Sequence, residues 1–393
     1  MTLLERFQST AADVLVAEPL WRANAFKMPV MEWEADFPAL SRALRALTHD
    51  QVETLKIEPE LALQWLRRLE PNVRWPSTED TRMDVRNEIA RPDAFRLRDI
   101  PGRKLEQIEA FISAAEISDG TVLEWCSGKS HLGRYLCLQQ PAVAVNALEK
   151  DALLCAAANH MAQREQLPIN SHCCDVHSTH AQNLAAGSTH VVALHACGDL
   201  HLRLLELAVE QGIAHILVAP CCYHLSKRLP WTGMSAPMKA LEISLSADDL
   251  RTAVQETVTA PAHARRARAS LQQWQLGWDM LRRTLTGIDA WQPIPRVERC
   301  DTFESFCRKL ADIAELTLPA TTDFAQFERI GCQRHAEVDA LDIVRHSFRR
   351  PLERMLVLDR GLWLEEQGYK TQVGVFCDRR VTPRNLLINA VLS

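Results

Sequence analysis

Between Thr121 and Cys222, short apolar runs alternate with stretches of helical periodicity, and this alternation narrows the choice of fold more than any other feature of the chain. The runs are Val122 to Glu124, AVAVNALEKD, INSHCCD, HVVALHACGD and HILVAPCC. Between them lie patterns such as ALLCAAANHMAQREQ and LHLRLLELAVEQ, whose apolar residues recur at helical spacing. Strands separated by helices of about 10–15 residues need crossover connections, and therefore a parallel sheet buried on both faces. In such sheets ligands bind outside the carboxyl ends of the strands, where the strand order reverses. The chemically informative side chains fall at those ends: Glu124, Glu149, Asp175, His195 to Asp199, and Pro220 to His224.

Within the first of these units, TVLEWCSGKSHLGRYL (121–136) reads as strand, small-residue turn and helix. That geometry brings backbone N–H groups and a helix N-terminus close to a ligand. Its acid-x-small-x-Gly-x-small pattern resembles motif I of the Rossmann-like S-adenosylmethionine (SAM) methyltransferases, with Cys126 and Ser130 where that family usually has glycine. The resemblance aims Glu124 at the ligand's ammonium and packs the turn under its ribose. Glu149, ending the second strand, can accept both ribose hydroxyls, as acids at this place do in dinucleotide-binding folds. Asp175, after the third, stands where this fold often meets adenine.

Three further segments, HACGDLHLRLLELAVEQG, APCCYH and the C-terminal LVLDRGLWLEEQGY with TPRNLLI, extend the likeness. With EWCSGKSHLG they resemble the domain shared by the methyltransferase-like 25 proteins and the glutathione-S-transferase C-terminal-domain-containing protein. More distantly they resemble the tRNA 2′-O-methyltransferases with a CHHC zinc finger. The resemblance implies an α/β fold: a Rossmann-like seven-stranded methyltransferase sheet whose last two strands form an antiparallel hairpin, and SAM as cofactor. The cofactor-binding candidates are then Glu124, Cys126, Ser127, Gly128, Lys129, Leu132, Glu149, Lys150, Asp175, Val176, His195, Ala196, Cys197 and Gly198.

The catalytic candidates are His195, Asp199, Cys221, Cys222 and His224, and three chemistries stay open for them. They shape a pocket in which an acceptor O or N is aligned, with His195, Asp199 or His224 taking its proton. Alternatively, a cysteine thiolate attacks a pyrimidine, as in RNA cytosine-5 methyltransferases. The third reading is a metal held by Cys197, Cys221, Cys222 and His224. There is no paired CxxC, and adjacent cysteines make awkward tetrahedral partners, so no metal is expected.

The chain is divided by sequence into a helical N-terminal region (1–97), the sheet core (98–224), a helical insertion (225–348) and a C-terminal helix and hairpin (349–393). The insertion opens with a capping box, Ser246-Ala-Asp-Asp249. It carries Arg265, Arg266, Arg268, Arg282 and Arg283 interleaved with Trp274 and Trp278, a pattern suited to phosphates and unstacked bases. A net charge of -5 leaves nucleic-acid binding to such a local patch. No apolar run is long enough for a membrane span, and twelve cysteines without a signal peptide read as reduced thiols of a cytoplasmic protein. The expected function is methyl transfer to RNA, most plausibly tRNA. A non-catalytic SAM- or RNA-binding protein and a small-molecule methyltransferase are the alternatives.

Overall fold

A computed structural model describes residues 1–84, 91–114, 117–255 and 262–393. Its contacts group the chain into two compact units: 1–14 with 77–259 and 349–393, and 15–76 with 260–348. This grouping cuts across the four sequence segments, because elements distant in sequence share cores.

The first unit is built on a seven-stranded sheet in the order β3-β2-β1-β4-β5-β7-β6. The strands are β1 Gly120–Trp125, β2 Val143–Glu149, β3 Ile169–Cys173, β4 His190–Cys197, β5 His215–Cys221, β6 Tyr369–Val375 and β7 Leu386–Leu392. The first five run parallel; β7 pairs antiparallel with both β5 and β6. This is the seven-stranded α/β sheet, ending in an antiparallel hairpin, that the resemblance implies. The strand order turns back on itself at β1 and β4, which sets the crevice over their carboxyl ends. Every residue of β5 is buried, as a central parallel strand requires, whereas edge strand β3 is polar (INSHC) and mostly accessible.

Helix α1 (Gly102–Ser113) leads into β1, and α2 (His131–Gln139), α3 (Ala152–Glu165), α4 (Thr179–Ala185) and α5 (Asp199–Glu210) make the crossovers. Asp151 caps α3 by accepting from the N–H groups of Leu153 and Leu154, and Ser178 caps α4 through Ala181. Ile108, Phe111 and Ile112 of α1 share a core with Val122, Leu136, Val145, Val192 and Leu217. That packing fixes α1 beside the strand ends.

The expected capping box is present: Ser246 and Asp249 bond reciprocally, but they open a six-residue helix, Ala247–Thr252, which belongs to the sheet unit. In the second unit the helices Ala262–Thr286 and Phe324–His346 pack along each other. A Cβ on Gly331 would lie 2.3 Å from the Gln273 carbonyl oxygen and one on Gly277 would lie 2.7 Å from that of Phe327. The two backbones therefore cross at a contact that only glycine permits. Trp274, Trp278, Phe303 and Phe306 fill the adjoining core.

Candidate active site

The turn after β1 carries three left-handed residues in five: Cys126 (φ 53°), Gly128 (φ 59°) and Ser130 (φ 53°). The backbone thus keeps the conformation for which glycine is the easy residue, at two positions that carry side chains. Ser127 donates its N–H to the Leu148 carbonyl at 2.9 Å, while its hydroxyl is buried without a partner. Gly128 donates its N–H to Glu149 Oε2 at 2.9 Å. A Cβ there would meet nothing within 4 Å, so the space above the turn is open.

Glu149 also accepts from the N–H groups of Lys150 at 2.8 Å and Asp151 at 3.0 Å. Its carboxylate is thereby locked at the end of β2, with lone pairs still available for donors. Asp175 accepts from the His177 N–H and from the Lys150 ammonium at 3.2 Å, and these bonds hold its carboxyl below the usual range. Lys150 is spent on that exposed pair. Lys129 is exposed, whereas Leu132 and Val176 are buried apolar wall.

Glu124 departs from expectation. Only 3% exposed, its carboxylate points into the first turn of α2, accepting from the Ser130 hydroxyl and the Gly133 N–H. Burial pushes its pKa up to about 7. It closes the start of a helix whose N-cap, Ser130, makes no capping bond of its own to the backbone. Lys104, on α1, feels Glu124 electrostatically and makes no hydrogen bond or ion pair among the described residues. Burial holds its amine below the ordinary value.

At the end of β4 the ladder slips between Leu194 and Ala196, opposite Ala219 and Pro220. Pro220 brings no N–H to the ladder there. The displaced residue is His195, at φ 76°, a conformation that residues with a side chain adopt uncommonly. Gln107 of α1 donates from Nε2 to the Val381 carbonyl at 3.2 Å, which leaves its Oε1 to face His195 Nε2 at 3.1 Å. That nitrogen must then carry the ring proton, so the buried, partnerless Nδ1 holds the bare lone pair. Burial first, then Lys104, brings the His195 pKa down to about 4.

Gly198 follows at φ 54°, and a Cβ on it would press within 3.0 Å of Leu225. Asp199, a catalytic candidate, accepts from the Ser226 hydroxyl and from the Lys227 N–H at 2.8 Å, one bond on each carboxylate oxygen. It ties the loop after β5 to the start of α5 and serves as a strut. His224 keeps a buried, unpartnered Nδ1 in that loop, and burial lowers its pKa.

Cys197 and Cys221 face each other across β4 and β5, with sulfurs 3.4 Å apart, and Cys222 completes a group of three thiols. Hydrogen bonds from the Cys197 and Cys221 thiols hold Cys222 well below its usual range, and the same contacts push Cys221 up.

The basic stretch divides in two. Arg265, Arg266 and Arg268 are exposed. Arg282 and Arg283 are buried against Asp279 at 2.9 and 2.7 Å and also donate to carbonyls of residues 288–290. They hold the second unit together and are not a surface for a partner. Trp278 is core, and Trp274 donates to Glu328.

Residues 103–228, less than half of the chain, match a family described as a methyltransferase domain. The glutathione S-transferase C-terminal domain-containing protein homologues of Drosophila pseudoobscura pseudoobscura and Drosophila melanogaster are each 26% identical over 132 residues. The match takes in 33% of this chain but 22% of each relative, so the chain spans little more than a fifth of the length of the curated relatives it matches. A SAM-dependent methyltransferase of known structure from Clostridium acetobutylicum superimposes on 31% of this chain and 52% of its own, at 13% identity and a TM-score of 0.22.

Proposed function

We propose that this chain, whose residues 103–228 form a methyltransferase domain, transfers a methyl group from SAM to an oxygen or nitrogen of an RNA, tRNA being the leading class. The observation that supports the cofactor reading is the Gly128 N–H bond to Glu149, which joins the turn after β1 to the end of β2 at the carboxyl ends of the strands, beside the reversal of strand order. The chain's residues fit that ligand. The buried Ser127 hydroxyl and His195 Nδ1 lack partners, and the space over Gly128 is open. Glu149 would take the ribose hydroxyls, Asp175 the adenine edge, and the Lys104 ammonium a carboxylate.

Bound SAM supplies an activated methyl electrophile, so alignment of the acceptor does most of the catalytic work. His195 performs that alignment. Neutral at physiological pH, with its Nε2 proton committed to Gln107, it accepts a hydrogen bond from the acceptor's O–H or N–H at Nδ1 and so aims the acceptor atom. Asp199 keeps the β5 loop in place around it. The support for an RNA acceptor is the exposed cluster Arg265, Arg266 and Arg268, which suits a phosphate backbone.

Two measurements test the reading. Calorimetric titration with SAM should give saturable heat whose affinity Glu149→Ala lowers sharply; no heat from the wild type at millimolar SAM would remove the enzymatic reading. Incubation with labelled SAM and total cellular RNA should label RNA, and label confined to a metabolite extract would move the acceptor to small molecules.

A further inference from the structure

We propose that Cys197, Cys221 and Cys222 form a binding site for a thiophilic divalent cation, zinc above all, held by three thiolates with one coordination position left open. The three sulfur atoms lie within 4.8 Å of one another, and the Cys197–Cys221 pair is 3.4 Å apart. Sulfurs about 2.3 Å from a common tetrahedral ion stand about 3.8 Å from each other. The observed spacing brackets that value and is far from the roughly 2.05 Å of a disulfide. All three are free cysteines.

The backbone explains how adjacent cysteines come to share one side. Cys197 and Cys221 are register partners on neighbouring parallel strands, so their side chains leave the same face of the sheet. In a continuing strand Cys222 would project from the opposite face. Instead its φ is 51°, a left-handed turn that swings its sulfur back to the other two. A non-glycine residue holds that conformation only when its surroundings demand it. Thiols used only as small apolar fillers have no such need: Cys222 is not among the buried cysteines, and one sulfur on each strand would fill the core equally well.

Among the described residues no histidine or carboxylate joins the three within that distance, so an ion here keeps an open position for water or a substrate heteroatom. Arg384 interacts electrostatically with Cys197 and Cys222 and offsets the single negative charge of a divalent ion with three thiolates. Loading releases the three thiol protons, so affinity rises with pH.

The site is independent of the methyl-transfer reading, and its test uses the metal alone. The full chain, kept reduced and freed of metal with a chelator, is titrated with Co²⁺. The expected result is sulfur-to-cobalt charge transfer with the strong visible bands of tetrahedral cobalt. These should saturate at one ion per chain and vanish on adding Zn²⁺. Cys197→Ser and Cys222→Ser should abolish the bands, and Cys173→Ser, at an exposed cysteine remote from the cluster in sequence, should keep them. If a serine variant fails to fold, iodoacetamide labelling of the wild type decides: Zn²⁺ should protect Cys222 and leave Cys173 reactive. Absence of charge transfer in the wild type, its persistence in Cys222→Ser, or equal alkylation of Cys222 with and without Zn²⁺ would each overturn the proposal.

Discussion

Gln107 fixes the tautomer of His195. Because its amide nitrogen is committed to the Val381 carbonyl, its oxygen faces His195 Nε2 at 3.1 Å and the ring's other nitrogen is left as the acceptor. One side chain on the helix before β1 therefore decides which atom of a strand-end histidine is available for chemistry. Replacing Gln107 by Leu should lower kcat roughly tenfold, about 1.4 kcal/mol in the barrier, with little change in affinity for S-adenosylhomocysteine. Gln107→Glu keeps the accepting oxygen and should retain more turnover than the Leu variant. His195→Ala should cost roughly 100-fold or more. Single-turnover methylation and calorimetry on the same samples separate the two effects. A loss of cofactor affinity that matches the loss of rate would assign the pair to binding.

Glu149 carries a different expectation. Its carboxylate is anchored by three backbone N–H groups, so it meets incoming hydroxyls without reorganising. Hydrogen bonds to a charged group are each worth about 1.5–3 kcal/mol, so Glu149→Ala should weaken S-adenosylhomocysteine roughly 100-fold or more. Adenine alone, which lacks the ribose, should bind wild type and variant alike. Calorimetry with both ligands checks this.

Glu124 should make stability depend on pH. Its folded pKa, about 7, lies above its ordinary value of 4.5, so the folded state binds the extra proton between those limits. Stability from this group is complete below pH 4.5 and is lost as pH rises through 7. The loss amounts to about 3 kcal/mol at most. Glu124→Gln is neutral at every pH and its oxygen still accepts from Ser130 and Gly133. Urea midpoints measured between pH 5 and 8 should therefore fall for the wild type and stay nearly level for the variant. Parallel curves would mean that the carboxylate is ionised throughout.

The two halves of the basic stretch should behave oppositely. Arg283→Ala strands part of the charge on buried Asp279 and should destabilise the chain by about 3 kcal/mol, read as a lower melting temperature. The triple change Arg265→Ala, Arg266→Ala and Arg268→Ala should leave melting unchanged. It should also weaken RNA and flatten the salt dependence of binding by roughly two units of slope, given about 0.7 per contact with single strands. Filter binding over a salt series measures it. An unchanged slope would place the RNA contacts elsewhere.

Local pattern determined much of this protein by itself. The alternation from Val122 to Cys222 encodes a parallel sheet because periodicity and strand-end composition are properties of neighbouring residues, and the short VTPRN connection is compatible with the antiparallel β6–β7 pair. The pairing of Asp279 with Arg282 and Arg283 was not read from the sequence, which grouped both arginines with the exposed basic run, although their spacings of three and four put the charges on one helical face. Only the tertiary structure decided what each strand-end side chain is free to do. Asp199 is tied to Ser226 and Lys227, and Glu124 is turned into a helix start. Gln107 reads as an ordinary polar position on an amphipathic helix until packing sets it against His195. The three thiols converge only through strand order and one left-handed residue. Gln107 and His195 stand 88 positions apart and Cys197 and Cys221 stand 24 apart, and no spacing along the chain records those contacts.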